Sequence, residues 1–204
     1  MRDMNEREPY GLLLLSMLYG GIAFFISRGI GFLLHQFIFS GEQSLTYQII
    51  SAFLFTGLLA ELFKFSFLRG VIFYYKHFNQ PFDGIVYAVM VGMGYSIAEN
   101  CLYVFNGDTA DAALHMVTAA PANAVFAVIL GYFLGKAKLH PERSVMFSLI
   151  GLLAASFAHG YYDYFMQVAN ITGLWIQAGI SIVIVIVLTQ MAFKSRTNNN
   201  ASTS

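Results

Sequence analysis

The chain has 204 residues, of which 57% are hydrophobic and only 11% charged. Soluble domains carry about 25% charged residues, so an ordinary water-soluble fold is excluded. Eleven Lys and Arg are matched by eleven Asp and Glu, and no charge excess points to nucleic acid or to an acidic partner. Cys101 is the one cysteine, so no internal disulfide forms; within an apolar run it reads as a buried free thiol. The 20 Phe and 12 Tyr suit a lipid-facing surface with rings at the interfaces.

A spanning helix needs roughly 20 apolar residues to cross about 30 Å of hydrocarbon. Six stretches qualify, at 10–35, 46–75, 82–105, 113–135, 144–168 and 172–193. The first follows a mixed-charge start and is longer than a signal-peptide core, so it reads as a helix rather than a cleaved leader. The first two exceed the length of a span, which predicts tilt or continuation along the membrane surface. Residues 194–204 are polar and unpatterned and read as a disordered tail.

Loop charges give the topology. Cytoplasmic loops retain Lys and Arg. From the N-terminal segment to the tail, Lys and Arg number 2, 0, 2, 0, 3, 0 and 2, with Arg28 and Lys64 left inside helices. This alternation predicts an all-α, polytopic membrane helix bundle of about six transmembrane helices. Residues 1–193 form a single transmembrane domain in the lipid bilayer, and both termini, with the tail, are cytoplasmic. No internal repeat of the transporter kind is evident.

Charges near the bilayer centre cost about 2.5–3.5 kcal/mol or more on insertion, so those that persist face the bundle interior. Helix two carries Glu61 and Lys64, three apart on one face and able to pair. Helix three carries Glu99 and Asn100, and Glu99 must find its partner on another helix. Helix four carries His115 and Asn123, with His115 toward the outer interface. Helix five carries His159 and Asp163, four apart, a spacing that serves one metal ion, one water, or a carboxylate orienting an imidazole. A structural hydrogen bond or ion pair accounts for each pair alone; four helices each contributing polar groups point to a shared site. Counting along the helices puts Glu99, His159 and Asn123 near or just outside the midplane, with Glu61 deeper toward the cytoplasm. Arg28 snorkels or pairs within the bundle, and Trp175 marks the outer boundary of helix six. Gly131 and Gly135, with Gly92 and Gly94, predict close helix packing.

In order, the stretches AELFK (60–64), FDGIVYAVMVGMGYSIAEN (82–100), PANAVFAVILGYFLG (121–135) and HGYYD (159–163) resemble the PrsW family of intramembrane proteases, themselves related to the CAAX prenyl proteases. The resemblance covers most of residues 57–165. It implies a hydrolase of the bacterial inner membrane that cuts membrane-anchored proteins such as anti-sigma factors, by a mechanism described both as glutamic and as metal-dependent. Carried over by position, Glu61, Glu99 and Lys64 are the catalytic set. His159, Asp163 and Glu99 would hold a metal, zinc in that reading, and Asn100 and Asn123 support them. Two positions depart from the pattern: Ala60 stands where the family has the first Glu of its pair, and Asn123 where it has a His. The resemblance therefore implies either an impaired protease, diverged or silenced by substitution, or a pseudoprotease that binds membrane proteins without cutting them. A small proton-coupled transporter using Glu99 and the His159–Asp163 pair as a relay is the reading that needs no resemblance.

Overall fold

The structure, a computed structural model, describes residues 8–38, 44–105, 109–168 and 171–201, with the backbone alone at 109–116, 171 and 196–201. Its helices are α1 (Tyr10–Ile38), α2 (45–70), α3 (Pro81–Phe105), α4 (Thr109–Leu139), α5 (Ser144–Gln167) and α6 (Ile171–Ala201), joined in part by short 3-10 turns at Ile72–Tyr74 and Pro141–Arg143. No strand occurs among the described residues. Six spans are long and apolar enough to cross a membrane: Tyr10–Ile38, Leu45–Tyr74, Pro81–Phe105, Val117–Leu139, Pro141–Gln167 and Thr172–Ser195. They match the six sequence stretches in order and nearly in length.

Two helices differ from the sequence reading. Within α2, residues Ser51–Leu58 are π-helical, between α-helical Leu45–Ile50 and Leu59–Gly70. The wider turn changes the angular register of everything after it, and hydropathy alone does not signal such a change. In α6 the helix continues through 194–201, the stretch read as a disordered tail. Neither Gly nor Pro lies there to stop it.

The helix starts follow local chemistry. Ser44 caps α2 by accepting from the Tyr47 N–H at 3.2 Å. Pro81 opens α3, where a missing N–H costs nothing, and Asp83 Oδ2 accepts from the backbone N–H groups of Asn79 and Gln80 at 3.0 and 2.8 Å. Tyr87 donates to Glu8, tying the segment before α1 to α3. Burial raises the Glu8 carboxyl above its ordinary pKa, with the Tyr87 hydrogen bond acting in the opposite direction.

α3 is the central helix, packed most extensively against α1 and α4; α4 in turn packs on α5, and α5 on the π-helical part of α2. Leu68, Phe78, Tyr87, Val91, Phe126, Leu130 and Leu134 fill the interior. Apolar side chains also cover the outside, among them Leu14, Leu18, Phe25 and Phe32 on α1 and Ile180, Val183 and Val187 on α6. So much exposed apolar surface fits hydrocarbon rather than water. α6 is the most peripheral span, and Trp175 near its start is 74% exposed. Cys101 is exposed on α3, which corrects the reading of a buried thiol. An apolar stretch does not say which residues face lipid and which face the bundle, because both surroundings are apolar.

Small residues set several close helix approaches, the tightest between α1 and α3, where a Cβ on Gly20 or Gly94 would meet the Val91 or Met17 carbonyl oxygen. Gly84 of α3 and Gly131 of α4 lie backbone to backbone, each with no space for a Cβ. Gly57 of α2 faces α5 so closely that a Cβ there would sit 2.7 Å from the Gly160 nitrogen and 2.8 Å from the Ser156 carbonyl oxygen. This last contact lies one turn from Glu61 and beside His159. Gly57→Ala should therefore lower the thermal unfolding midpoint, by an amount corresponding to about 1–3 kcal/mol of overpacking. Gly29→Ala, on open α1 surface with nothing within 4 Å of the added carbon, should hold or raise it. Equal midpoints for the two variants in detergent would refute the packing role.

Candidate active site

The polar residues singled out along four helices meet in one buried chain of contacts. It begins in α2, where the π-helical segment and the turn after it aim Glu61 and Lys64 inward. Lys64 Nζ lies 2.7 Å from Glu61 Oε1. The same ammonium donates to Asn123 Oδ1 of α4, also at 2.7 Å. Glu61 Oε1 takes a second contact from α5, 2.9 Å from His159 Nδ1. The other ring nitrogen, His159 Nε2, is 3.5 Å from Asp163 Oδ2. On the far side, Asn123 Nδ2 donates to Glu99 Oε2 of α3 at 3.4 Å and to the Ala119 carbonyl at 3.1 Å. The order is thus Asp163, His159, Glu61, Lys64, Asn123, Glu99.

Burial grades along this chain. Glu61 is 0%, Lys64 1%, Asn123 2% and His159 2% exposed, while Glu99 and Asp163 at its two ends are half-buried. The predicted depths are corrected at one point: contact with His159 puts Glu61 at the same level as the others, not deeper. The π-helical turns before it, which straight counting along an α-helix ignores, account for part of that shift. Asn100 is half-buried beside Glu99. Arg28 is exposed on α1, yet its charge acts on Asp163, as do those of Glu99 and Lys64. The side chain of His115 lies outside the described residues.

Aromatic rings wall the site, and sequence reading missed them. Tyr95 of α3 holds the Lys64 ammonium 4.1 Å from its ring centre, a cation–π contact of the desolvated kind. Its hydroxyl is 3.3 Å from Ser27 Oγ of α1, and its ring stands edge-on to His159 at 6.3 Å. Phe126 of α4 stacks on the imidazole at 4.7 Å, with planes 18° apart. Tyr95 lies one turn before Glu99 and Phe126 three residues after Asn123, so helical spacing from the polar residues is the one signal that could have found them. Thr118 and Tyr162 hydroxyls, 2.7 Å apart, tie α4 to α5 one turn away. Ala60, fully buried, packs with Ala23, Phe24 and Tyr95 in an apolar cluster.

The donor set does not fit a zinc centre as it stands. Glu61 Oε2 and Asp163 Oδ2 are buried oxygens without a hydrogen-bond partner among the described residues, which favours a cation. Against this, the Lys64 ammonium already sits on Glu61, and His159 turns both its nitrogens to carboxylates. Among the described residues no three His, Cys, Asp or Glu side chains are arranged to hold a metal ion. In the contact order Asn123, Lys64 and Glu61 stand between Glu99 and the imidazole. Zinc centres want at least three convergent protein donors.

These elements define a polytopic membrane protein with a carboxylate–imidazole–ammonium network sealed between four spanning helices. Comparison with known proteins agrees with the sequence motifs. Residues 8–191 match the family described as "PrsW family intramembrane metalloprotease", and the chain belongs to that family. It is 28% identical over 166 residues to Protease PrsW of Geobacillus kaustophilus (strain HTA426), a match covering 81% of this chain and 72% of that protein. With Protease PrsW of Shouchella clausii (strain KSM-K16) it is 30% identical over 169 residues, 82% of this chain and 75% of the other. With Protease PrsW of Bacillus subtilis (strain 168) it is 28% identical over 167 residues, 81% and 74% respectively. No solved structure matches the chain.

Removing Lys64 should expose how much rests on it. Taking one partner from a buried ion pair costs about 3–5 kcal/mol, because the other charge is left uncompensated. Lys64→Met should therefore unfold at a markedly lower temperature, and Glu61→Leu combined with Lys64→Met should recover much of the loss. A single variant as stable as the parent would show that the ammonium does not hold the network together.

Proposed function

We propose that the chain is an intramembrane protease scaffold that receives membrane-anchored protein substrates and whose hydrolytic step is impaired by Ala60 and Asn123. The observation that carries this reading is the continuous contact order Asp163–His159–Glu61–Lys64–Asn123–Glu99 across α5, α2, α4 and α3. Family membership supports the protease class, and relatives named as proteases in bacteria support a cell-membrane location. The loop cations support cytoplasmic termini.

Peptide hydrolysis needs a base to activate water, a donor to protonate the leaving amine, and positive charge or hydrogen bonds for the oxyanion. His159, flanked by two carboxylates, is the group able to take and return a proton. Glu61 is committed to Lys64 and His159, so it orients the imidazole more readily than it attacks water. Lys64 and the Asn123 amide are the donors able to face developing negative charge. Beyond the imidazole the network offers the carboxylates of Glu99 and Asp163, and residues 60 and 123 add no base to them. Ala60 can neither take nor give a proton, and Asn123 offers an amide where imidazole would be the better ligand for zinc. The same two residues favour a second reading, a pseudoprotease that holds membrane proteins without cutting them.

Cleavage of a single-span, membrane-anchored reporter in proteoliposomes separates the two readings. The chain as it stands should cut slowly or not at all. Ala60→Glu with Asn123→His should raise cleavage by about 100-fold or more, the scale of one acid–base group, and further addition of His159→Ala should abolish it. Zinc per chain, by elemental analysis, should be near zero in the parent and near one in the double variant. Efficient cleavage by the parent would overturn the impairment. Binding without cleavage in every variant would favour the pseudoprotease.

A further inference from the structure

A second concentration of charge lies outside this network, at the end of the bundle that carries the loop cations. Past Gly70 the chain turns through Ile72–Tyr74 and sets Phe73 between two cations from different helices. The Arg69 guanidinium, from the end of α2, is centred 3.9 Å from the Phe73 ring. Lys138 Nζ, from the end of α4, is 4.8 Å from the same ring and donates to the Phe73 carbonyl. Arg69 also reaches the Tyr74 hydroxyl at 3.3 Å and Ser144 Oγ, at the start of α5, at 3.4 Å.

Neither cation meets a carboxylate among the described residues. Nearby acids are engaged elsewhere: Glu142 faces His140 at 3.5 Å, and Asp83 accepts from the backbone at Asn79 and Gln80. The Arg69 and Lys138 charges are close enough to repel each other. Two like charges on one ring repel each other, and an anion placed between them would offset that repulsion. Both side chains are half-buried, so donors not used on Phe73, Tyr74 and Ser144 remain reachable from outside.

Beside them, the first turn of α5 exposes Val145 (69%) and Met146 (45%), and Tyr74 is 69% exposed. A basic pocket at a span's end, edged by apolar side chains, matches a molecule that is anionic at one end and apolar beyond. We propose that Arg69, Lys138 and Ser144, supported on Phe73, form a binding site for the phosphate headgroup of an anionic membrane lipid whose acyl chains lie along Val145 and Met146. Free phosphate shares the headgroup chemistry but makes no use of the apolar edge. The site is separate from the buried network and does not depend on protease activity.

Native mass spectrometry tests this on the full chain, released from bilayers of phosphatidylcholine with a minor share of phosphatidylglycerol. Retained phosphatidylglycerol should exceed its share of the bilayer. Arg69→Gln with Lys138→Gln should reduce that enrichment roughly tenfold or more, since both charge-assisted contacts to the headgroup are lost. Lys76→Gln with Lys194→Gln, which removes cations not seated on the Phe73 ring, should leave it unchanged. Should the first pair not fold, either single variant should give a several-fold loss. No enrichment, or equal loss in both pairs, would overturn the site. Displacement of the lipid by millimolar inorganic phosphate would overturn the lipid assignment.

Discussion

The arrangement depends on one ammonium group held where no water competes for it. Lys64 is about as far from solvent as any residue in the bundle, and three groups share it: the Glu61 carboxylate, the Asn123 carbonyl oxygen and the face of Tyr95. An isolated charge in such surroundings would be expelled or neutralised. A carboxylate opposite, an amide beside and a ring below together make burial tolerable. Each of those partners comes from a specified place: Glu61 from the turn before on α2, Asn123 from α4, and Tyr95 from α3. Satisfying Lys64 therefore aligns three helices, and the Glu61–His159 contact brings in the fourth. That last contact requires the near backbone contact of Gly57 with α5. Packing and polar chemistry meet here, since the glycine approach sets the helix separation that the Glu61–His159 contact spans.

Ala60 and Asn123, the positions at which the sequence resemblance implies a departure, are both locally satisfied. Asn123 uses its oxygen on Lys64 and its nitrogen on Glu99 and the Ala119 carbonyl. Ala60 fills an apolar contact with Ala23, Phe24 and Tyr95. A Glu side chain at position 60 would enter that cluster and need a donor there; the nearest rearrangement is a turn of Lys64 or Tyr95 toward it. An imidazole at 123 would replace a group that donates and accepts at once by a ring that, when neutral, donates through one nitrogen and accepts through the other. The network can therefore absorb either residue type, but not with the same distribution of protons.

Much of this was legible in the sequence because a bilayer writes strong rules. Span length, the alternation of loop cations and the rarity of charge inside a helix recover six helices and nearly every polar member of the site. Spacing alone pairs Glu61 with Lys64 and His159 with Asp163. Other features left no trace that period or hydropathy could read. The π-helical stretch in α2 has the composition of an ordinary apolar helix. Tyr95 and Phe126 are two rings among 32 Phe and Tyr residues, and nothing but their spacing from Glu99 and Asn123 marks them. Cys101 was misread for the same reason: where lipid and protein interior are both apolar, burial cannot be inferred from residue type. Contacts between distant helices, above all Asn123 with Lys64, need the third dimension.

The gradient of burial along the network bears on how a substrate would meet it. The two most deeply placed charges, Glu61 and Lys64, neutralise each other and offer little to an incoming peptide. The ends of the chain of contacts, Glu99 and Asp163, are less deeply buried than its middle. Arg28, exposed on α1, adds the one cation at that side which lies within a span. In the proposed protease reading, carboxylates at this level would be acceptors for the N–H groups that a substrate helix frees when it unwinds. The imidazole stands one contact further in, behind Asp163. Such an order separates holding an unwound segment, which needs acceptors in a medium without water, from moving a proton, which needs His159. Holding of that kind would use neither residue 60 nor a metal, and it is what the proposed pseudoprotease reading asks of the site.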